Sequence, residues 1–276
     1  MILFKQTIVL LREELRELFT RKRSLFSLVS YVGFTLLVFS GLARAMQRAR
    51  DAVGGHSAMD EPQVLIERFG HSMQPEMYNV LKQLAAVPAP IVIYQCLSLV
   101  VLPTLVAMVS CDMVSVDISR GTLRYVLLRA SRTAYYLSKL LSHSVLYVII
   151  HLVTMLGLLY VLAESDSAFN AFDHLTVALA YVAITVPAVW FMVALTAWVS
   201  SWCRRTISAL LLIHLFWIIL LSLMVKWPEF TPFYSKITVG LVAPFAEFAP
   251  KTLLGMSAWA FGFSVAGFLG FLRRDV

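Results

Sequence analysis

Residues 117–139 read DISRGTLRYVLLRASRTAYYLSK, and this stretch decides the fold. It carries Arg120, Arg124, Arg129, Arg132 and Lys139, yet two of the longest apolar runs in the chain flank it. If both runs cross a membrane, the stretch is an exposed loop between spans. Within it, Leu123, Val126 and Leu127 fall at i, i+3 and i+4, one face of a short helix. Arg120, Arg124 and Arg132 fall largely elsewhere. A loop whose only task is to turn the chain needs no such apolar face, so the segment is expected to dock onto a partner on its own side of the membrane. Thr122 is placed to cap a helix from Leu123 to about Arg129, and Ser131 to cap the next, which starts near Arg132 and runs through Lys139. Gly121 permits the turn before the first of these helices.

The flanking runs are two of six. Of the 276 residues, 59% are hydrophobic and 14% charged, where a soluble domain has about 25% charged. The deficit comes from uncharged runs of the roughly 20 residues that span about 30 Å of hydrocarbon as a helix. The expected spans are 25–43, 91–111, 140–163, 176–200, 206–225 and 252–272. A transmembrane barrel is excluded, because its strands would alternate over about ten residues. The fold class is therefore an all-α polytopic membrane protein, with an amphipathic interface helix in 1–24 and a six-helix transmembrane domain in 25–276. The net charge of +7 sits beside apolar runs, which points to the inner membrane surface or a cytoplasmic partner rather than to nucleic acid.

Lysine and arginine placement sets the orientation. With the N-terminus in the cytoplasm, the inner segments hold six basic residues before the first span, five between Asp112 and Lys139, then Arg204 with Arg205 and Arg273 with Arg274. That is 15 inside against 8 outside, despite Arg44, Arg48 and Arg50, and the positive-inside rule places both termini and the loop 112–139 in the cytoplasm. In the N-terminal segment Phe4, Ile8, Leu11, Leu15 and Leu18 form a narrow stripe, and Glu17–Arg21 is a favourable i, i+4 pair. The outer loop 44–90 has turn signals at Gly54-Gly55 and Asp60-Glu61-Pro62 and a short helix expected over Pro75–Leu84. Residues 164–173 read as a short acidic turn. Segment 226–251 mixes aromatics with Pro228, Pro232, Pro244 and Pro250, which suggests a re-entrant pair of short helices.

Single residues carry further expectations. Cys96, Cys111 and Cys203 fit no zinc spacing and read as buried thiols. His151 and His214 lie mid-span and are candidate intramembrane polar residues, with an interhelical hydrogen bond as their main expected use. Asp112 belongs at the cytoplasmic boundary, solvated or paired with Arg204 or Arg205. Pro103 and Pro187 are expected to kink their spans. Gly262, Gly267 and Gly270 offer close helix contact in the last one.

The central stretch resembles the loop between the second and third spans in the permease subunits of ABC-2 type transporters. There an acid is followed by Gly-Thr-Leu, a leucine-rich stretch, Ser-Arg and a lysine. Here these are Asp117, Gly121-Thr122-Leu123, Leu127-Leu128, Ser131-Arg132 and Lys139. A proline that often precedes the Ser-Arg pair is replaced by Arg129-Ala130. The resemblance implies a subunit that pairs with a second permease chain, identical or homologous, and with two ATP-hydrolysing subunits. The loop would be a coupling helix seated on the ATPase, with Asp117, Arg120, Gly121, Thr122, Leu123, Arg124, Val126, Leu127, Arg129, Ser131 and Arg132 as coupling residues. It further implies export across a bacterial cytoplasmic membrane, a pathway lined partly by the second and fifth spans, no catalysis on this chain, and ATP and Mg held by the partner. The chain has no G-x-x-x-x-G-K-[ST] phosphate loop. Two other readings stay open: a secondary carrier or channel acting alone, and an ABC-type subunit doing mechanical work on extracytoplasmic partners. An intramembrane enzyme would need a nucleophile and base, or clustered acids, and the spans show neither arrangement.

Overall fold

Inside hydrocarbon each backbone polar group must find a partner within its own segment, which leaves helices as the open-chain solution. The computed structural model describes residues 2–52, 89–165, 171–203, 205–226 and 249–273, and all regular elements among them are α-helices. In chain order they are α1 (Ile2–Thr20), α2 (Lys22–Ala52), α3 (Ala89–Ser110), α4 (Ser115–Ser119), α5 (Thr122–Leu127), α6 (Arg132–Ser165), α7 (Ala171–Trp202), α8 (Thr206–Lys226) and α9 (Ala249–Leu272).

Among the described residues five stretches are long and apolar enough to cross a membrane: Ser24–Leu42, Val101–Ser119, Arg132–Glu164, His174–Trp202 and Leu253–Leu272. The fifth apolar run of the sequence forms α8, whose described apolar part is Thr206–Phe216. α2 continues as helix to Ala52, beyond the expected end of the first span. The outer helix expected over Pro75–Leu84, the turns at Gly54-Gly55 and Asp60-Glu61-Pro62, and the re-entrant segment (apart from the helix ends at 226 and 249–251) lie outside the described residues.

α6 and α7 form the centre of the bundle, flanked by α2, α3 and α9. Lipid is as apolar as leucine, so close van der Waals fit rather than escape from water holds such helices together. The glycines mark where that fit is tightest. A Cβ at Gly267 would collide with the Tyr136 hydroxyl and come within 3.1 Å of the Trp198 Cα. One at Gly270 would lie 2.9 Å from the Trp202 indole nitrogen. α9 therefore lies against α7 through Gly267 and Gly270, whereas Gly262 faces open space. Pro103 and Pro187 sit inside α3 and α7.

α6 is longer than a bilayer requires. Its 34 residues extend about 51 Å at 1.5 Å per residue, against a hydrocarbon core of about 30 Å. The first turns of α6 therefore project beyond the core, toward α1 and the short helices α4 and α5.

Candidate functional site

The site is built from residues 117–139 and the helices they touch. Gly121 adopts φ +70°, the only positive value among the described residues, and so turns the chain between α4 and α5. An L side chain there would be strained even though space is open around it. Ser131 caps α6 as expected: its Oγ accepts from the amide of Ala134 at 3.2 Å. Thr122 does something else. Gly121 occupies the cap position of α5, and the Thr122 hydroxyl donates to Asp117 Oδ1 at 3.0 Å. A hydrogen bond to an ionised carboxylate is stronger than one from a neutral amide, which explains the switch.

Asp117 collects three donors. Besides Thr122, the Tyr135 hydroxyl donates to its Oδ2 at 2.6 Å and the Lys139 ammonium lies 2.9 Å from the same oxygen. Lys139, almost fully buried, also lies 2.7 Å from Glu14 Oε1 on α1. Its ammonium sits 5.5 Å from the centre of the Tyr135 ring. One cation thus joins three elements: α1, the loop and α6. Burial pushes the Glu14 carboxyl above its ordinary value, and the neighbouring ammonium opposes that rise. A second tie runs alongside. Gln6 on α1 donates to the Arg129 carbonyl and accepts from the Ser131 amide, both at 3.4 Å.

Two further contacts knit the loop to the bundle. Arg132 Nη1 donates to the carbonyl of Leu272 at 2.9 Å, which closes one free carbonyl at the C-terminal end of α9. Between α3 and α4 the helix is interrupted at Cys111–Val114. There the Ser200 hydroxyl of α7 accepts from the amides of Val114 and Ser115 at 3.2 and 3.1 Å and donates to the Cys111 carbonyl at 3.0 Å. Asp112, in the interruption, pairs with Arg21 at 3.5 Å. The sequence leaves Asp112 either solvated or paired with Arg204 or Arg205, and Arg204 lies outside the described residues. Arg21 sits at the break between α1 and α2 and also holds Glu17, its Nε 2.9 Å from Oε1.

The apolar face of α5 points opposite to expectation. Leu123 is fully buried in the main core, and Val126 and Leu127 pack against it. The outward side chains are Arg124, Tyr125, Leu128 and Arg129, with Tyr125 73% and Leu128 82% exposed. Arg120 is exposed on the neighbouring turn. Among the described residues none of Arg120, Arg124 and Arg129 forms a side-chain ion pair. Shallow depressions flank the exposed pair. One of about 640 Å³ lies between α1 and α5 and is lined by Lys5, Val9, Tyr125, Leu128 and Arg129, among others. The stripe of α1 also divides differently than expected. Leu18 packs inward with Thr7 and Leu10, while Phe4 and Ile8 stay exposed.

Sequence reasoning missed Glu14 as the second acid on Lys139, the Arg132–Leu272 bond and the Ser200 latch. For Glu14 a signal existed: it lies seven residues after Thr7 and four before Leu18, hence on the inward face of α1. Deeper in the membrane, His151 makes the interhelical bond expected of it, its Nδ1 2.9 Å from the Tyr94 hydroxyl with the rings stacked at 5.3 Å. His214 instead bonds back to its own helix, at the Leu210 carbonyl. Cys111 and Cys203 are buried, but Cys96 is exposed on α3.

Long apolar helices with buried ionic groups gathered at one end of the bundle define a multi-pass integral membrane protein. Residues 8–276 match a family model described as ABC-2 family transporter protein, and the chain belongs to that family. It is the membrane component of an ABC transporter. No curated protein matches it.

Proposed function

We propose that the chain is the permease half of an ATP-driven exporter in a bacterial cytoplasmic membrane, with six spans and both termini inside. Two separate ATPase subunits bind ATP and Mg, and a second permease chain, identical or homologous, completes the assembly. The outward apolar faces of α3 (Ile93, Leu97, Met108) and α8 (Ile207, Leu211, Leu215) support a pathway or chain contact at the second and fifth spans.

One observation carries the ATPase assignment: Tyr125 and Leu128 stand exposed on and just after α5, beside Arg124 and Arg129. A large aromatic and a leucine on a rigid helix, flanked by arginines, are the anchor type that fills an apolar pocket with an acidic rim. The loop 117–132 is thus the coupling element, but its contact surface is Arg124, Tyr125, Leu128 and Arg129. Leu123, Val126 and Leu127 fix its seat on the bundle. ATPase closure then moves the loop and, through it, the spans.

The test is affinity purification in mild detergent. Tyr125→Ala is expected to cost about 2–4 kcal/mol of ATPase binding, roughly 30-fold or more in affinity. Arg124→Glu combined with Leu128→Asp should abolish co-purification while membrane insertion is unchanged. Undiminished ATPase recovery with the double variant would remove the assignment.

A further inference from the structure

The loop does not meet the bundle alone. α1 is joined to it at two separate points, through Glu14 to Lys139 and Asp117 and through Gln6 to the backbone of Arg129 and Ser131. The chain on either side is interrupted. Between α1 and α2 the helix is interrupted at Arg21, whose amide still donates to the Glu17 carbonyl at 2.8 Å and whose carbonyl still accepts from Leu25 at 3.0 Å. Between α3 and α4 it breaks at Cys111–Val114, where the amides of Val114 and Ser115 turn to a side chain instead of their own helix. The third connection is different in kind. From Arg132 onward α6 runs unbroken for 34 residues, and Lys139 lies near its cytoplasmic end.

We propose that α1, the loop 115–131 and the cytoplasmic end of α6 form one rigid body, with Lys139 and Glu14 as the positioning residues that hold α1 in it. The interruptions at Arg21 and Cys111–Val114 are its two joints. A load on α5 passes directly into the third span, because α6 belongs to the body and to the membrane at once. It reaches the last span through Arg132 and the Leu272 carbonyl and through Tyr135 and Tyr136 against Phe268 and Phe271. Along the chain the first and second spans connect to the body only across joints, which are themselves pinned together by Arg21–Asp112 at 3.5 Å and latched by Ser200, and their other link to it is side-chain packing on α6. The ammonium is the centre of the body because it contacts all three parts, with Glu14 on α1 and Asp117 in the loop each within 2.9 Å of it. α1 therefore acts as a working part of the coupling device as well as a membrane-surface anchor. This inference rests on the loop being the coupling element, but its decisive measurement needs no ATPase.

The experiment is pulsed electron paramagnetic resonance on the full chain in lipid nanodiscs, in a Cys96→Ala background. Spin labels go at Arg12 on α1, Arg120 in the loop and Leu37 in α2, all exposed. The Arg12–Arg120 distance is expected to be single and narrow, and the Arg12–Leu37 distance, which crosses the Arg21 joint, broader. Glu14→Gln removes one arm of the cluster and leaves Lys139 paired with Asp117, so the fold is retained. It should abolish the narrow Arg12–Arg120 distance and leave Arg120 unmoved relative to a label at Leu156 on α6. Glu14→Asp, which keeps the charge, should restore part of it. The proposal is overturned if Glu14→Gln leaves the Arg12–Arg120 distribution as narrow as in the native chain, or if the native distribution is as broad as that across the joint. With the ATPase added, Glu14→Gln should keep co-purification and lose nucleotide-dependent change at Arg12. Failure of the native chain to bind any ATPase would sink the coupling reading and leave the rigid-body result standing on its own.

Discussion

The two polar sites of this bundle are built on opposite plans. At one end of the bundle Lys139 meets Glu14, Asp117 and Tyr135, and full charges are placed inside protein to join three elements. In the interior of the spans His151 and Tyr94 join two helices with one neutral hydrogen bond and a ring stack. The contrast follows from the surrounding medium. A buried charge is tolerable where several partners and nearby water satisfy it, whereas mid-bilayer a neutral pair is far less costly. The ionic site should be strong when intact and damaging when halved. The neutral pair should matter little either way.

Removal of one member of the ionic site is the sharpest test of that difference. Lys139→Met leaves two carboxylates facing each other without their cation and should destabilise the protein by about 3–5 kcal/mol. The check is the thermal unfolding midpoint in detergent, and a midpoint equal to that of the native protein would erase the contrast. An apolar contact of intermediate cost gives the scale. Gly267→Ala drives a methyl group into the Tyr136 hydroxyl and toward Trp198, for a loss of about 1–3 kcal/mol. Tyr136→Phe should recover part of that loss, so the double variant reads as less than additive in the same assay. Smallest is the neutral pair. A double-mutant cycle with Tyr94→Phe and His151→Leu should return a coupling of about 0.6 kcal/mol, and no more than about 1.7. A coupling as large as the Lys139 effect would mean that the interior site carries more than a helix contact.

How far the residues could be read in advance also tracks this division. Spans are written in runs of uncharged residues, so the helices α2, α3, α6, α7, α8 and α9 are legible from hydropathy alone. The loop is legible too, because Gly121 and Ser131 act through their own backbone neighbourhood. What fails is direction. The α5 region carries apolar residues on both sides, Leu123, Val126 and Leu127 on one and Tyr125 and Leu128 on the other, and spacing cannot say which side the bundle claims. The pairing of Asp112 with Arg21 is not legible for a related reason. Arg21 and Arg205 are equally basic, and only the placement of α1 beside the interruption after α3 selects the first. Contacts between residues more than a hundred positions apart, such as Arg132 with Leu272, leave no local trace at all.

The guanidinium of Arg132 completes the end of α9, so a tilt of the final helix and a shift of the loop draw on the same bond. Linkage of this kind works in both directions. If the loop seats an ATPase as proposed, a tilt of the last helix that strains this bond changes how readily the loop accepts that partner, by as much as the partner changes the helix. A cargo touching α9 would then be felt at the loop through Arg132 and through the Tyr135 and Tyr136 rings that pack on Phe268 and Phe271.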